Sequence, residues 1–457
     1  MDIDEFDKYL TAGGKCHMVG IGGVSMSPLA QLLFAMGIEV TGSDMNPGEA
    51  VDNLIELGIK VTVGHSVENI QGAKYIIRTA AARDDNIEIK AARDSGIPVF
   101  ERALAWGYIM RKYKNAVCVS GAHGKTTTTS MITCILLAAD SDPTVMIGGT
   151  LPLLGSGYRV GSGDTIVLES CEYYNSYHNF FPTIAIVLNI DADHLDFFTD
   201  IEDLKNSFRK FASLVPDDGS IICNADDINT MDSLTKLDRE LFTFGIDSDA
   251  DIRGVNISTD GKNPKMDVLY KGEFFCTITL QVPGIHNLKN ALAAISAAVL
   301  IGIPAHTIQE GLQSFTGAGR RFEYKGNING ADIYDDYAHH PSELRAIIDS
   351  ASKLNYNRII LAFQPHTYSR TRALFSDFVT ELSRPDITFL AQIYAAREAE
   401  DPAISSWILA DSIKGSRAFP DLNTITEEIS KIAKEGDIIL TVGAGDIYKV
   451  SESLVNF

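Results

Sequence analysis

The chain lacks any run of about 18 uncharged apolar residues, so nothing in it predicts a membrane-spanning helix. Its first residues, Met1-Asp-Ile-Asp-Glu-Phe-Asp, are acidic where an export signal is basic. A cytoplasmic protein without membrane insertion is therefore expected. Positive charge is scarce too: a net charge of −21 argues against nucleic acid or an anionic membrane as partner. Any anionic ligand must be held by local Lys, Arg and helix ends, against a repulsive overall field. The six cysteines (Cys16, Cys118, Cys134, Cys171, Cys223 and Cys276) include no Cys-x-x-Cys pair, and buried free thiols are expected of them. Coiled-coil, low-complexity and short-period repeat patterns are absent. What remains is an ordinary folding composition, 45% hydrophobic and 22% charged over 457 residues. At about 150 residues per domain, that length predicts about three domains.

The most informative segment is Ser120-Gly-Ala-His-Gly-Lys-Thr-Thr-Thr-Thr129, which follows the apolar run Ala116–Val119 and precedes the apolar stretch from Met131. Strand, glycine turn and helix bring backbone N–H groups, Lys125 and the Thr126 hydroxyl to one helix N-terminus. Such a place binds a nucleotide polyphosphate: the N–H groups and helix dipole favour anions, Lys125 supplies a point charge, and Thr126 can ligate Mg²⁺. The loop is the short form Gly121-x-x-Gly124-Lys125-Thr126, with Val119 where the common phosphate loop has its first glycine.

Along the chain, strands near Cys16–Val19, Ile38–Asp44, Tyr75–Arg78 and Ile97–Phe100 alternate with helical stretches, which predicts a parallel sheet covered on both faces. Gly20-x-Gly22-x-x-Ser25, with Asp44 further on, is close to a dinucleotide fingerprint. Ser25 replaces its third glycine, so the turn could hold NAD, another nucleotide's diphosphate, or nothing. Arg111-Lys-Tyr-Lys-Asn115 marks a boundary, a β-rich section runs from about Phe242 to Val282, and Asn290 is expected to begin a long Ala-rich helix. A second boundary lies near Phe315–Gly319, after which the α/β pattern resumes. The expected domains are 1–110, 111–317 and 318–457.

Several constellations surround this frame. Glu169 and Glu172 end one strand, while Asn189, Asp191, Asp193 and His194 end another. Ligands of α/β sheets bind at the carboxyl ends of the strands, so Glu172 and His194 are expected near Thr126. A histidine ligand to Mg²⁺ is unusual and raises Mn²⁺ or a second metal. Asn287 and Asn290 lie one helical turn apart and can cap a helix or read a base edge. Arg320 and Arg321 sit at the second boundary, where a hinge could bring cations onto a γ-phosphate. Seven of the ten histidines (His17, His123, His194, His286, His339, His340 and His366) fall in Gly-, Asn- or Pro-marked segments, a bias that suggests a site.

Taken in order, His17-x-x-Gly-Ile-Gly-Gly23, Gly42-Ser-Asp44, Gly121-x-His-Gly-Lys-Thr-Thr127, Glu169-x-x-Glu172, Asn189-x-x-x-Asp-His194, His286-Asn-x-x-Asn290, Gly319-Arg-Arg321, Asp335-Asp-Tyr-x-His-His-Pro341 and Gln364-Pro-His366 resemble the Mur ligase family over nearly the whole chain. The resemblance lies nearest to members that add L-alanine to UDP-N-acetylmuramate. It implies a Rossmann-like N-terminal domain for the UDP-sugar, a central P-loop ATPase domain and a mobile Rossmann-like C-terminal domain that helps bind the amino acid. It also implies ATP binding by Gly121, Ala122, His123, Gly124, Lys125, Thr126, Thr127, Asn287, Asn290, Arg321 and Asp336. The UDP-sugar falls to Gly20, Gly22, Gly23, Ser43, Asp44 and Arg102, and the amino acid to His366 and Arg370. Metal ligation falls to Thr126, Glu172 and His194, and catalysis to Lys125, Glu172, His194 and Arg321. A monomer or weak homo-oligomer is expected.

Three departures bear on substrate contact. Arg78-Thr-Ala80 stands where the family often has two serines, Tyr173-Tyr-Asn follows Glu172 where Ser-Asp is frequent, and Thr367 replaces a usual arginine. The last leaves Arg370 as the expected anchor for the amino acid's carboxylate. Three other readings stand beside this one: a family member that attaches a recycled peptide to the same sugar nucleotide, a nicotinamide-dependent oxidoreductase, and a non-catalytic ATP-driven switch.

Overall fold

A computed structural model describes residues 3–11, 13–79, 81–192, 197–259, 263–396 and 398–456. Its strands form three sheets, each drawn from one continuous stretch of chain. The first contains β1 (Cys16–Val19), β2 (Val40–Asp44), β3 (Lys60–Val63), β4 (Tyr75–Arg78) and β5 (Val99–Glu101), all parallel in the order β3-β2-β1-β4-β5. The order reverses at β1, so the carboxyl ends of β1 and β4 open a crevice over the glycine turn.

The second sheet contains β6 (Asn115–Ser120), β7 (Thr144–Leu151), β8 (Ser156–Arg159), β9 (Thr165–Glu169), β10 (Ile184–Val187), β11 (Ser220–Asn224), β12 (Leu241–Gly245), β13 (Ile252–Ser258), β14 (Lys265–Tyr270) and β15 (Glu273–Thr279). Its order is β15-β14-β13-β12-β11-β10-β6-β9-β7-β8, with β6 between β10 and β9. The strands from β13 to β7 are parallel, while β8 at one edge and β14 and β15 at the other pair antiparallel with their neighbours. The core strands are apolar throughout because both faces are covered, β10 reading Ile-Ala-Ile-Val and wholly buried.

The third sheet holds β16 (Glu323–Ile328), β17 (Ala331–Asp336), β18 (Arg358–Phe363), β19 (Ile387–Leu390), β20 (Arg417–Ala418) and β21 (Asp437–Val442), in the order β16-β17-β21-β18-β19-β20. Only β16 runs antiparallel to its neighbour.

Buried apolar side chains join the first two sheets into one body. A single cluster runs from Phe6 and Trp106 through Ile166 and Tyr177 to Phe208. Helix Arg102–Met110 packs so closely that a Cβ on Gly107 would lie 1.9 Å from the Asn179 carbonyl oxygen. Clusters on both faces of the third sheet contain, among the described residues, no side chain of the other two. No helix in the described residues is long and apolar enough to cross a membrane.

The helix expected to start at Asn290 starts earlier, spanning Ile285–Ile301. Gly284, at φ 101°, turns the chain before it and places His286 and Asn287 in the first turn. His17, expected in a loop, lies within β1 with its Nδ1 3.0 Å from the Thr41 hydroxyl. All six thiols are free; five are buried as expected, but Cys171 is exposed at the end of β9.

Candidate active site

The phosphate loop leaves β6 and enters helix Lys125–Ala138 through two left-handed glycines, Gly121 at φ 140° and Gly124 at φ 83°. A Cβ on Gly124 would stand 2.5 Å from Asn290 Oδ1, so the loop closes directly against the Ala-rich helix. Asn189 clamps the loop from the end of β10: its Oδ1 accepts from the His123 N–H at 2.8 Å, and its Nδ2 donates to the His123 carbonyl at 3.0 Å.

Lys125 folds back over its own loop. Its Nζ donates to the Ala122 carbonyl at 3.2 Å and to both carboxylate oxygens of Glu172, at 3.3 and 3.2 Å. Burial works against the ammonium charge, yet Glu172, with Glu169 behind it, holds the lysine's pKa above its ordinary value. Glu169 also accepts from the Gly148 N–H at 2.7 Å, tying β7 to the same strand end. Thr126 is buried beside this group. His194 lies outside the described residues.

Above the loop an open cavity of about 250 Å³ is walled by residues of both the second and third sheets' domains. Its lining brings together His123, Gly124, Thr127, Asn287, Asn290, Arg321 and Asp336 from the ATP set expected from the sequence. Asn287 and Asn290 are buried and adjacent, Asn290 Nδ2 donating to Asn287 Oδ1 at 3.4 Å. Asp336 accepts from the Phe322 and Ala338 N–H groups, both at 2.7 Å, and burial pushes its carboxyl up to about 7 even though Arg321 opposes the shift. Arg321 lies over the Tyr337 ring and 3.9 Å from Glu343 Oε1. Its neighbour Arg320 does not reach the cavity as a loose cation. Arg320 is spent on Asp335 at 3.0 Å and on the Gly443 and Gly445 carbonyls, between the rings of Tyr337 and Tyr448.

Of the residues expected at the UDP-sugar, Gly20, at φ 78°, turns the chain against Thr79, and the Gly22 N–H donates to Asp44 Oδ2 at 2.9 Å. Gly23 closes the turn by donating to the Gly20 carbonyl. Arg102 begins the helix packed against the Tyr173–Asn179 segment, and burial there lowers its pKa. The Ser43 side chain is buried and donates to Glu88 Oε2 at 2.6 Å. Arg78, one of the departures, is held by Glu101 and Asp84.

At the far wall, His366 Nδ1 lies 3.1 Å from Arg370 Nη1, and the His366 ring stacks on Tyr394 and faces His339. Thr367 adopts φ 67° and donates its N–H to the Tyr394 carbonyl, so the loop bends where an arginine was expected. Sequence reasoning passed over Tyr394, Phe244 and Glu343. The last was signalled, since His340-Pro-Ser-Glu343 is a capping box in which Glu343 accepts from the His339 and His340 N–H groups at 2.9 and 3.1 Å.

This arrangement can cradle a nucleotide's phosphates, with cations of both domains, Lys289 and Arg321, and the acids Asp336 and Glu343 facing a shared space. The comparisons agree with it in order and extent. Three family profiles match consecutive segments: "Mur ligase family, catalytic domain" over residues 15–114, "Mur ligase middle domain" over 119–298 and "Mur ligase, glutamate ligase domain" over 320–445. UDP-N-acetylmuramate--L-alanine ligase of Caldanaerobacter subterraneus subsp. tengcongensis is 43% identical over 460 residues, covering 100% of this chain and 98% of that one. The crystal structure of UDP-N-acetylmuramate-alanine ligase MurC from Thermotoga maritima superposes with a TM-score of 0.81 at 30% identity, over 97% of this chain and 98% of that one. A murein peptide ligase from Psychrobacter arcticus gives 0.71 at 25% identity over the same shares, 97% and 98%. With three consecutive family segments matched and a relative 43% identical over the whole chain, the chain belongs to the Mur ligase family.

Proposed function

We propose that this enzyme forms the amide between the lactyl carboxylate of UDP-N-acetylmuramate and L-alanine, with ATP as the energy source, in peptidoglycan precursor synthesis. The observation that carries the reading is a phosphate loop whose Gly124 and Thr127 line a cavity shared with Arg321 and Asp336 of the third sheet's domain, in a chain 43% identical end to end to a ligase of that name. A carboxylate oxygen is a poor leaving group, so the acid is activated as an acyl phosphate, which the alanine amine attacks. Phosphate then leaves from the tetrahedral intermediate.

Transfer of the γ-phosphoryl is mostly positioning and charge neutralisation, and calls for no protein nucleophile. The glycine loop orients the phosphates, Lys125 exchanges its contact with Glu172 for the bridging and terminal oxygens, and Arg321 faces them from the other domain. Asn287, Asn290 and Asp336 serve the adenosine side. Thr126 and Glu172 are hard oxygen donors suited to Mg²⁺, with His194 as their partner in the proposed set. That ion, with Mn²⁺ as an alternative, would neutralise phosphate charge when bound. Gly20, Gly22, Gly23, Asp44 and Arg102 serve the UDP-sugar, and His366 with Arg370 the alanine carboxylate. The domains run 1–110, 111–317 and 318–457, and the enzyme works in the cytoplasm as a monomer or weak homo-oligomer.

The test is to incubate the protein with UDP-N-acetylmuramate, ATP, Mg²⁺ and L-alanine and measure phosphate with each component omitted. Release that needs all four is expected, with slower turnover of glycine and L-serine, because a pocket for one methyl group discriminates by only about 1–3 kcal/mol. Preference for an intact peptide over free L-alanine would overturn the choice of substrate.

A further inference from the structure

His123 sits in the middle of the phosphate loop, with its backbone N–H and its ring both facing protein groups. Asn189 takes the N–H. The ring is wedged between two acids from different domains: Nε2 is hydrogen-bonded to Asp191 Oδ2 at 3.1 Å, and Nδ1 lies at ion-pair distance, 3.2 Å, from Glu343 Oε1 without hydrogen-bond geometry. Ser342 Oγ, beside Glu343 on helix Pro341–Ser352, stands 2.9 Å from the same Nε2, 3.1 Å from Asp191 Oδ2 and 2.7 Å from His340 Nδ1.

Two features decide what this cluster does. His123, Asp191 and His340 have the donor types of a metal site, with ligand atoms within 4.8 Å of one another. The Ser342 hydroxyl, though, occupies the space between them, within hydrogen-bond distance of all three, so the group is closed by protein contacts. Glu343 faces two ways. Its Oε1 meets His123, while its Oε2 accepts from the His339 and His340 N–H groups and so fixes the loop that carries His339 against His366. One carboxylate thus touches both the phosphate loop and the amino-acid wall.

We propose that His123 is a positioning residue: its ring latches the phosphate loop to Glu343, so that filling the nucleotide site and ordering the His339 loop are coupled. The apolar cores of the two domains do not merge here, so a polar latch can open and re-form without disrupting either core. Coupling of this kind is reciprocal, and nucleotide and amino acid each strengthen the other's binding. The amino-acid half of the inference rests on the ligase reading, whereas the nucleotide half stands without it.

The experiment is a double-mutant cycle on the full-length chain with His123→Gln and Glu343→Gln. Glutamine at 123 places an amide nitrogen where Nε2 was, keeping Asp191 and Ser342 while losing Glu343. Glutamine at 343 keeps the capping box and loses the charge. Each single variant should weaken binding of a non-hydrolysable ATP analogue about tenfold and raise KM for the amino acid. The double variant should be no weaker than the worse single variant, within about twofold.

The wild type's advantage should also depend on pH. Burial opposes the charge on His123, but Asp191 and Glu343 raise its pKa to about 9. The other charged groups around the latch are His340 against Asp191, with Arg321 and His339 against Glu343. The charged ring is present at lower pH, so the latch weakens as pH rises through about 9, and Glu343→Gln should flatten that limb. Multiplying effects in the double variant, or single variants that lower Tm while leaving analogue affinity unchanged, would overturn the latch. Loss of alanine-dependent phosphate release with the cycle intact would overturn only the ligase reading.

Discussion

Lys125 is the residue on which the chemistry turns, and its surroundings say how to test it. In this structure its ammonium is balanced by Glu172, a carboxylate that is itself buried. Lys125→Ala removes a preorganised cation from the place where negative charge builds between the β- and γ-phosphates. Turnover per folded molecule should fall by about 10²-fold. Some thermal stability should go with it, because Glu172 is left buried beside an empty place and must take up a proton or admit water. Initial rates paired with thermal melts separate the two effects, and near-normal turnover of a folded Lys125→Ala protein would remove Lys125 from the mechanism. Arg320 shows why identity alone misleads at this scale. It sits next to Arg321 in sequence, but its guanidinium lies between two tyrosine rings and on two carbonyls of the β21 turn.

Among elements, the strand–turn–helix from Asn115 to Ala138 is the most constrained. Gly124→Ala would force a left-handed alanine, at about 1–3 kcal/mol, and drive a Cβ into the Asn290 amide. Weaker analogue binding with a smaller proportional loss of Tm is expected, since the strain falls on the loop and spares the core. Equal affinity by calorimetry would show that the loop can relax. This element was legible in the sequence because local chemistry specifies it: an apolar strand, glycines where φ is positive, and hydroxyls where the helix begins. The sheet frame was legible for the same reason, from runs such as Ile184–Val187 and Asp437–Val442. Other parts were not. The cluster of His123, Asp191 and Glu343 joins residues 68 to more than 200 positions apart, and no local pattern encodes such a meeting. The contact of Ser43 with Glu88 was not legible either, because a motif gives a position on β2 but not which face of the sheet it takes.

At the scale of the whole molecule, the two boundaries differ in kind. Between the first and second sheets the joint is apolar and continuous, through Trp106 and Tyr177. Between the second and third, polar contacts cross: His123 with Glu343, Asp191 with Ser342 and His340, and a Gly319 N–H donated to the Thr150 carbonyl at 2.7 Å. The connecting segment has Gly317 at φ 119°, Arg320 at 58° and Phe322 at 47°, a backbone already at the limits where small rotations swing the next domain widely. Motion should therefore be confined to the second boundary. Small-angle scattering should show a smaller radius of gyration with ATP analogue and UDP-sugar than without, and equal radii would argue for a rigid arrangement.

That each sheet draws its strands from one uninterrupted stretch of chain has a consequence for synthesis. None of the three must wait for a later strand to complete its hydrogen bonding, so the chain can fold in the order in which it leaves the ribosome. The exception is the apolar seam around Trp106 and Tyr177, half of which belongs to the second sheet. Until that half is translated, the nascent N-terminal domain carries a sticky face, and this is where truncated or stalled chains would aggregate.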